Sequence, residues 1–227
     1  MEDDMDWDVR IKDQLKHIAR GSRAVMPQSE HKNQDSPYGN DWDILWLGHC
    51  GELFPETLPE YSAMPLDDPL FTKYAIHPDP TVPAPAHTVG FQNFTEHPST
   101  RWVHVSGGPI CTFAYALSQA GARKVLYDLS VDHLAGPFDN ALSGLCRWGR
   151  DPGRLDMRCL TFTPPVFMHH RPKGYIGGDS DIQSYGGKEG KGELRKVGVT
   201  QNMVWSARLN IRALLIGQSM RDQFAED

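Results

Sequence analysis

Apolar positions along the chain repeat in two ways, and each repeat predicts a kind of element. Trp7, Ile11, Leu15 and Ile18 fall at steps of three or four, one apolar stripe of a helix. A helix from about residue 8 to 20 follows, with Asp6 or Asp8 placed to cap its N-terminus. Asp41-Trp42-Asp43-Ile44-Leu45-Trp46-Leu47-Gly48 is instead a short continuous apolar run bounded by polar residues and glycine, the pattern of a strand buried on both faces. Such strands belong to α/β sheets. Residues 101–105 and 158–162 read as further strands, the second ending at Pro164-Pro165. Between them, Ser118 is a good N-cap for a helix carrying Ala122, Val125, Leu126 and Leu129. Pro137 opens a second helix, with Phe138, Ala141, Leu142, Leu145 and Cys146 on one face. From about 201 to 224, apolar residues alternate with basic ones, which predicts a C-terminal helix without chemistry of its own.

The intervening stretches are punctuated by turn formers. Residues 21–40 are polar and broken by Pro27 and Pro37. Residues 51–100 hold Pro55, Pro59, Pro65, Pro69, Pro78, Pro80, Pro83, Pro85 and Pro98, a density that forbids a long helix and reads as an extended surface excursion with room for short strands. Residues 186–192 form a flexible glycine and lysine stretch. A chain of 227 residues with 39% hydrophobic and 23% charged residues suits one large globular domain, or one domain with a long insertion. The net charge of -6, with no cluster of Lys and Arg, argues against a nucleic-acid surface. No apolar run reaches the roughly 18 residues of a membrane span, and the first residues lack a basic-then-apolar signal pattern.

Candidate chemistry begins at residue 2. Five carboxylates, on Glu2, Asp3, Asp4, Asp6 and Asp8, stand in the first eight residues. At ~5 Å spacing, each adjacent pair costs on the order of 1 kcal/mol in water and about 3 kcal/mol at the effective dielectric of a protein surface. A hard cation such as Mg²⁺ or Mn²⁺ removes that penalty. A solvated acidic terminus shows the same run. Asp139 falls in the first turn of the second predicted helix, where a carboxylate commonly does no more than face the helix dipole. His169 and His170 follow a strand. Adjacent side chains on extended backbone point opposite ways, so at most one of the two serves a metal. The four cysteines, Cys50, Cys111, Cys146 and Cys159, lack any Cys-x-x-Cys spacing, which argues against a zinc knuckle. Their spacing leaves disulfides and buried thiols both open, thiols being the commoner state in a chain this large.

Taken in order, four segments resemble glycosyltransferase family 25, the lipopolysaccharide and collagen galactosyltransferase group, and its fungal members especially. Glu2-Asp3-Asp4 is similar to that family's acidic metal motif, and Trp42-Asp43-Ile44-Leu45-Trp46-Leu47-Gly48 to its W-D-hydrophobic-LG strand. Thr112-Phe113-Ala114-Tyr115-Ala116-Leu117-Ser118, Gly121-Ala122 and Pro137-Phe138-Asp139 resemble its AY-hydrophobic-S…GA…D block. Thr163-Pro164-Pro165-Val166-Phe167 with Ser180-Asp181-Ile182 resembles its closing P-P-hydrophobic-F…SDI block. The likeness spans residues 1–185 and leaves 186–227 outside it, as the flexible stretch and a C-terminal helix.

The resemblance implies a GT-A-like, Rossmann-like α/β fold. In the family the acidic motif follows a nucleotide-binding half, so the expectation is a fold incomplete at its N-terminus, with apolar strand edges exposed. It further implies a nucleotide-sugar donor, UDP-galactose in described members, a Mn²⁺ or Mg²⁺ ion, and inverting transfer to a carbohydrate or glycoprotein acceptor. Asp3 and Asp4 would then hold the metal, with Glu2 or Asp6 orienting the shell and His169 or His170 completing it. The ion would stabilise charge on the departing diphosphate. Asp139, with Asp181 behind it, would take the acceptor hydroxyl's proton. Family members work in secretory organelles or at bacterial inner membranes, which points to the ER or Golgi, with any targeting segment upstream of Met1. The competing expectation is a truncated or degenerate relative that binds carbohydrate or protein without catalysis. A hydrolase built on the acidic run and His169 is a weaker third, because no second histidine lies at helical spacing from His169.

Overall fold

The computed structural model describes residues 1–26, 36–91, 95–132, 136–176 and 193–225. Its main sheet is assembled from the apolar runs. Strands β2 (Ile44–Gly48), β3 (Lys73–Ile76), β4 (Arg101–Val105), β5 (Ala114–Leu117) and β6 (Cys159–Thr163) form five neighbours in the order β3-β4-β6-β2-β5. β2 and β6 run parallel and the other pairs antiparallel, so the fold is α/β with a mixed sheet. The strands buried on both faces, β4, β6 and β2, occupy the middle.

Alternation along these strands sends side chains to two cores. Leu45, Val103, Val105, Leu160 and Phe162 meet Ile18 and Val25 of α1 (Ile11–Val25). Ile44, Trp46 and Cys159 face the other way, onto Val125 of α2 (Gln119–Leu126) and Leu142, Leu145 and Cys146 of α3 (Phe138–Trp148). Burying one such side chain contributes about 1.5–3 kcal/mol, so the two clusters carry most of the driving force for folding. Helix α2 opens as the sequence predicts, with Ser118 Oγ accepting from Gly121 N at 2.9 Å, and continues into a π-helical turn over Tyr127–Asp132. Gly121 is required where it stands: a Cβ there would lie 2.1 Å from the Asp43 carbonyl oxygen.

Helix α1 begins later than expected, at Ile11, because Asp8 spends its carboxylate on Arg10. The proline-rich excursion contains four short 3₁₀ turns, each opening on a proline, and the edge strand β3. It is tied down by Arg101, fully buried, whose Nε donates to Asp79 Oδ2 at 2.7 Å and whose guanidinium also serves Thr81, Pro164 and Pro165. Burial pushes the Asp79 carboxyl up, but Arg101 and the Thr81 hydrogen bonds outweigh it and hold the group below its ordinary value.

The four cysteines pair as Cys50–Cys111 and Cys146–Cys159, with Cα atoms 5.5 and 5.6 Å apart. The commoner thiol state is therefore not the one adopted, since β6 brings Cys159 within bonding reach of α3. By loop entropy the bridges contribute about 4 and about 3 kcal/mol.

A second sheet joins the two ends of the chain. β1 (Met5–Trp7), β7 (Phe167–Arg171) and β10 (Val199–Thr200) lie in the order β1-β7-β10, all antiparallel, and α4 (Ala207–Ile216) packs on β1. A two-stranded ribbon, β8 (Gly174–Tyr175) with β9 (Leu194–Arg195), stands beside it in sequence. The expected C-terminal helix forms, but residues 193–225 do not stand apart as a unit beyond residue 185: they complete the sheet that the first residues begin. Residues 186–192 lie outside the described residues. No described helix is long and apolar enough to cross a membrane.

Candidate functional site

The acidic run lands on the small sheet, and its carboxylates divide into buried and open. Asp6 is fully buried and accepts from Trp7 N at 2.8 Å, Thr200 Oγ1 at 2.5 Å, Arg208 N at 3.1 Å and the Ser206 hydroxyl. Ser206 Oγ in turn caps α4, accepting from Leu209 N at 3.1 Å. One carboxylate thus binds strand β1, strand β10 and the start of α4 together. Its lone pairs are committed, and it has no room for an ion. Asp8 is committed likewise, to Arg10 and to Trp205 N at 3.2 Å.

Asp4 differs. Its side chain is 42% exposed, Oδ2 meets Nε2 of His169, and Oδ1 is buried without a hydrogen-bond partner. Strand pairing of β1 with β7 accounts for the meeting across 165 residues of sequence, since Met5 stands opposite His169 and His170 N donates to the Asp4 carbonyl at 2.8 Å. The His169 ring is stacked on Phe113 with centroids 5.3 Å apart. His170, the next residue, takes a different partner, Thr200 Oγ1 at 2.9 Å, with Asp6 Oδ2 at 3.9 Å. Burial holds His170 below the ordinary imidazole value, although Asp6 pulls the other way.

The remaining expected site residues fall as follows. Asp3 is exposed, and among the described residues only its carbonyl is engaged, by the Arg208 guanidinium. Glu2 is exposed and accepts from the Thr112 hydroxyl at 3.0 Å, while its N–H donates to the Phe113 carbonyl at 3.1 Å. Asp139 is half-buried in the first turn of α3, a helix packed on the second core, and forms no hydrogen bond or ion pair with the Asp4–His169 pair. Asp181 lies outside the described residues.

A divalent ion fits this arrangement in part. Asp4, with one unpartnered oxygen, and His169 offer an O,N pair on one side of β7, and Mg²⁺ or Mn²⁺ can take its other positions from water and phosphate. Among the described residues the Asp3 carboxylate forms no hydrogen bond or ion pair with either member of that pair, and His170 bonds Thr200. Among the described residues no group of three or more His, Cys, Asp or Glu is placed to hold a metal.

A second polar cluster has no counterpart in the sequence reading. His49, Glu52 and His104 lie sealed against the main sheet beside Ser106, Thr161 and Thr163. Glu52 Oε1 accepts from Leu53 N at 2.9 Å and Gly107 N at 3.0 Å, and Oε2 from Ser106 Oγ at 3.3 Å. Burial pushes its carboxyl up to about 8 despite those donors. Burial also drives His49 down to about 4, although it touches the Phe162 carbonyl at 3.0 Å, and His104 down to about 3. All three groups are neutral at pH 7, closed off from ligands, and part of the core.

Sequence reasoning missed Thr200, Ser206 and Arg208, the residues that hold the acidic run in place. Ser206 carried the one usable signal, a hydroxyl directly before the apolar run of the C-terminal helix. In comparisons with protein families, curated proteins and solved structures, the chain finds no match.

Proposed function

We propose that the chain is a metal-dependent, GT-A-like glycosyltransferase of the family 25 type, acting on a UDP-sugar and a hydroxyl acceptor with inversion. The observation that carries this reading is the meeting of Asp4 with His169, which leaves a buried carboxylate oxygen without a partner beside an imidazole. Asp4 and His169 would hold Mn²⁺ or Mg²⁺, and the bound ion supplies positive charge to a departing diphosphate. The chain's own residues prepare the pair. Asp6 locks β1 to α4, so Asp4 cannot drift, and Phe113 fixes the plane of His169. Asp139 is the acceptor base that the resemblance implies, with Asp181 its reserve. Galactose as the transferred sugar rests on the resemblance alone. Two disulfides agree with an oxidising, secretory compartment.

A second reading is a carbohydrate- or protein-binding module without catalysis, favoured by the absence, among the described residues, of a group of three or more metal-ligating side chains. One thermal-shift experiment separates the two. UDP with Mn²⁺ at about a hundredfold excess over Kd stabilises by about 2.7 kcal/mol, or roughly 5–10 °C for a chain of this length. The shift is expected to vanish with EDTA and in Asp4→Asn. No shift, or a shift indifferent to EDTA, would overturn the glycosyltransferase reading.

A further inference from the structure

A cavity of about 270 Å³ lies away from the Asp4–His169 pair, between α3, the π-helical turn and the segment that follows α3. Leu129, Leu145 and Leu155 line its floor, and Trp148, 49% exposed, stands in its wall. The indole rests close on the helix at Gly144, one turn earlier, where an added Cβ would lie 3.0 Å from the ring. On the adjoining position Arg147 reaches over the ring at 5.4 Å, its guanidinium fixed by Glu60 through bonds of 2.5 and 2.9 Å.

Three polar residues line that cavity: Asp128 from the π-helical turn, Asn140 from α3, and Arg154. None of the three spends its side chain on a hydrogen bond or ion pair within the described residues, unlike Asp6, Asp8, Asp43 and Asp79, each of which is paired. A π-helical turn is itself rare and recurs at ligand sites. An apolar floor, a half-exposed aromatic and a few polar groups in the lining are the make-up of a small-molecule site. The polar groups narrow the class. Asp128 and Arg154 balance in charge, so the cavity offers no net attraction to a phosphate. It offers carboxylate and amide acceptors with guanidinium and amide donors around an aromatic, the complement of an uncharged ring that bears hydroxyls on its edge and C–H groups on its face.

The geometry points to this cavity as a binding site for a neutral saccharide of one or two hexose units. The site is independent of the metal pair and does not rest on the transfer reaction.

The test is a titration of the protein with galactose, glucose and lactose in the presence of EDTA, read by saturation-transfer NMR and by tryptophan fluorescence. Saturable binding is expected for at least one of the three sugars. Trp148→Ala and Asp128→Asn should each weaken it about tenfold or more, since loss of about 1.4 kcal/mol is tenfold in affinity, while Asp4→Asn leaves it unchanged. Trp148 is half-exposed, so its replacement should fold; Arg154→Gln, at an exposed position, is the second variant should it not. Absence of saturable binding, binding that survives Trp148→Ala and Arg154→Gln, or preference for inorganic phosphate or UMP over the sugars would overturn the proposal. Loss of binding in Asp4→Asn would overturn its independence and place the sugar at the metal pair instead.

Discussion

Around His169, carboxylates and imidazoles meet at the rim of a small sheet; around His49, the same residue types meet inside the main one. The outer cluster keeps an open carboxylate, on Asp4, and an oxygen with no partner. The inner cluster is sealed, and burial turns each of its groups neutral: Glu52 protonated with a pKa of about 8, His49 and His104 deprotonated with values of about 4 and about 3. Composition does not separate these two clusters. Access to solvent does, because a desolvated carboxylate sheds its charge by binding a proton, whereas one at the rim stays free to take a cation.

The largest expected effect breaks the outer cluster at its root. Asp6→Ala strands the Thr200 and Ser206 hydroxyls and the Arg208 N–H in a buried place, which is expected to cost about 3–5 kcal/mol. Urea denaturation reads it, and a cost below about 1 kcal/mol would show that the two chain ends are not joined through this carboxylate.

The inner cluster gives a pH signature of intermediate size. Glu52, whose folded value of about 8 exceeds the ordinary 4.5, contributes stability that is complete below 4.5 and lost as pH rises through 8. His49 and His104, with folded values below 6.5, contribute stability that is complete above 6.5 and lost as pH falls toward 4 and below. The opposing limbs place the stability maximum near pH 6.5. Glu52→Gln keeps the neutral shape and should remove the alkaline limb, recovering about 2 kcal/mol between pH 6.5 and 8. Denaturation at those two pH values checks it, and an unchanged limb in the variant would mean Glu52 is ionised in the fold.

The smallest effect on stability belongs to the residue with the largest role in the proposed chemistry. Asp4→Asn should change unfolding free energy by less than about 1 kcal/mol, since the Asp4 side chain is 42% exposed and asparagine keeps an oxygen or N–H for His169. A loss much larger than that would make Asp4 a structural residue like Asp6.

Much of the main sheet was legible from local pattern. The two-faced burial of β2, the existence of β4 and β6, the Ser118 cap and the short turns of the proline-rich stretch each follow from a few neighbouring residues. The small sheet was not, because what specifies it is a set of side-chain bonds that span the chain: Asp6 to Ser206, and Asp4 to His169. Carboxylates that looked alike in the sequence were sorted by partners about 200 residues away. The Glu52 cluster was equally silent, since single buried polar residues in strands and loops leave no periodic trace. The disulfides depended on β6 meeting α3, which spacing alone does not fix.

The most direct measurement is electron paramagnetic resonance of Mn²⁺ titrated with the protein in the presence of UDP. The free-ion signal should fall with one-to-one stoichiometry and return to the unbound level in Asp4→Asn and in His169→Ala. A signal that does not fall, or that falls equally in both variants, would contradict a cation held between Asp4 and His169.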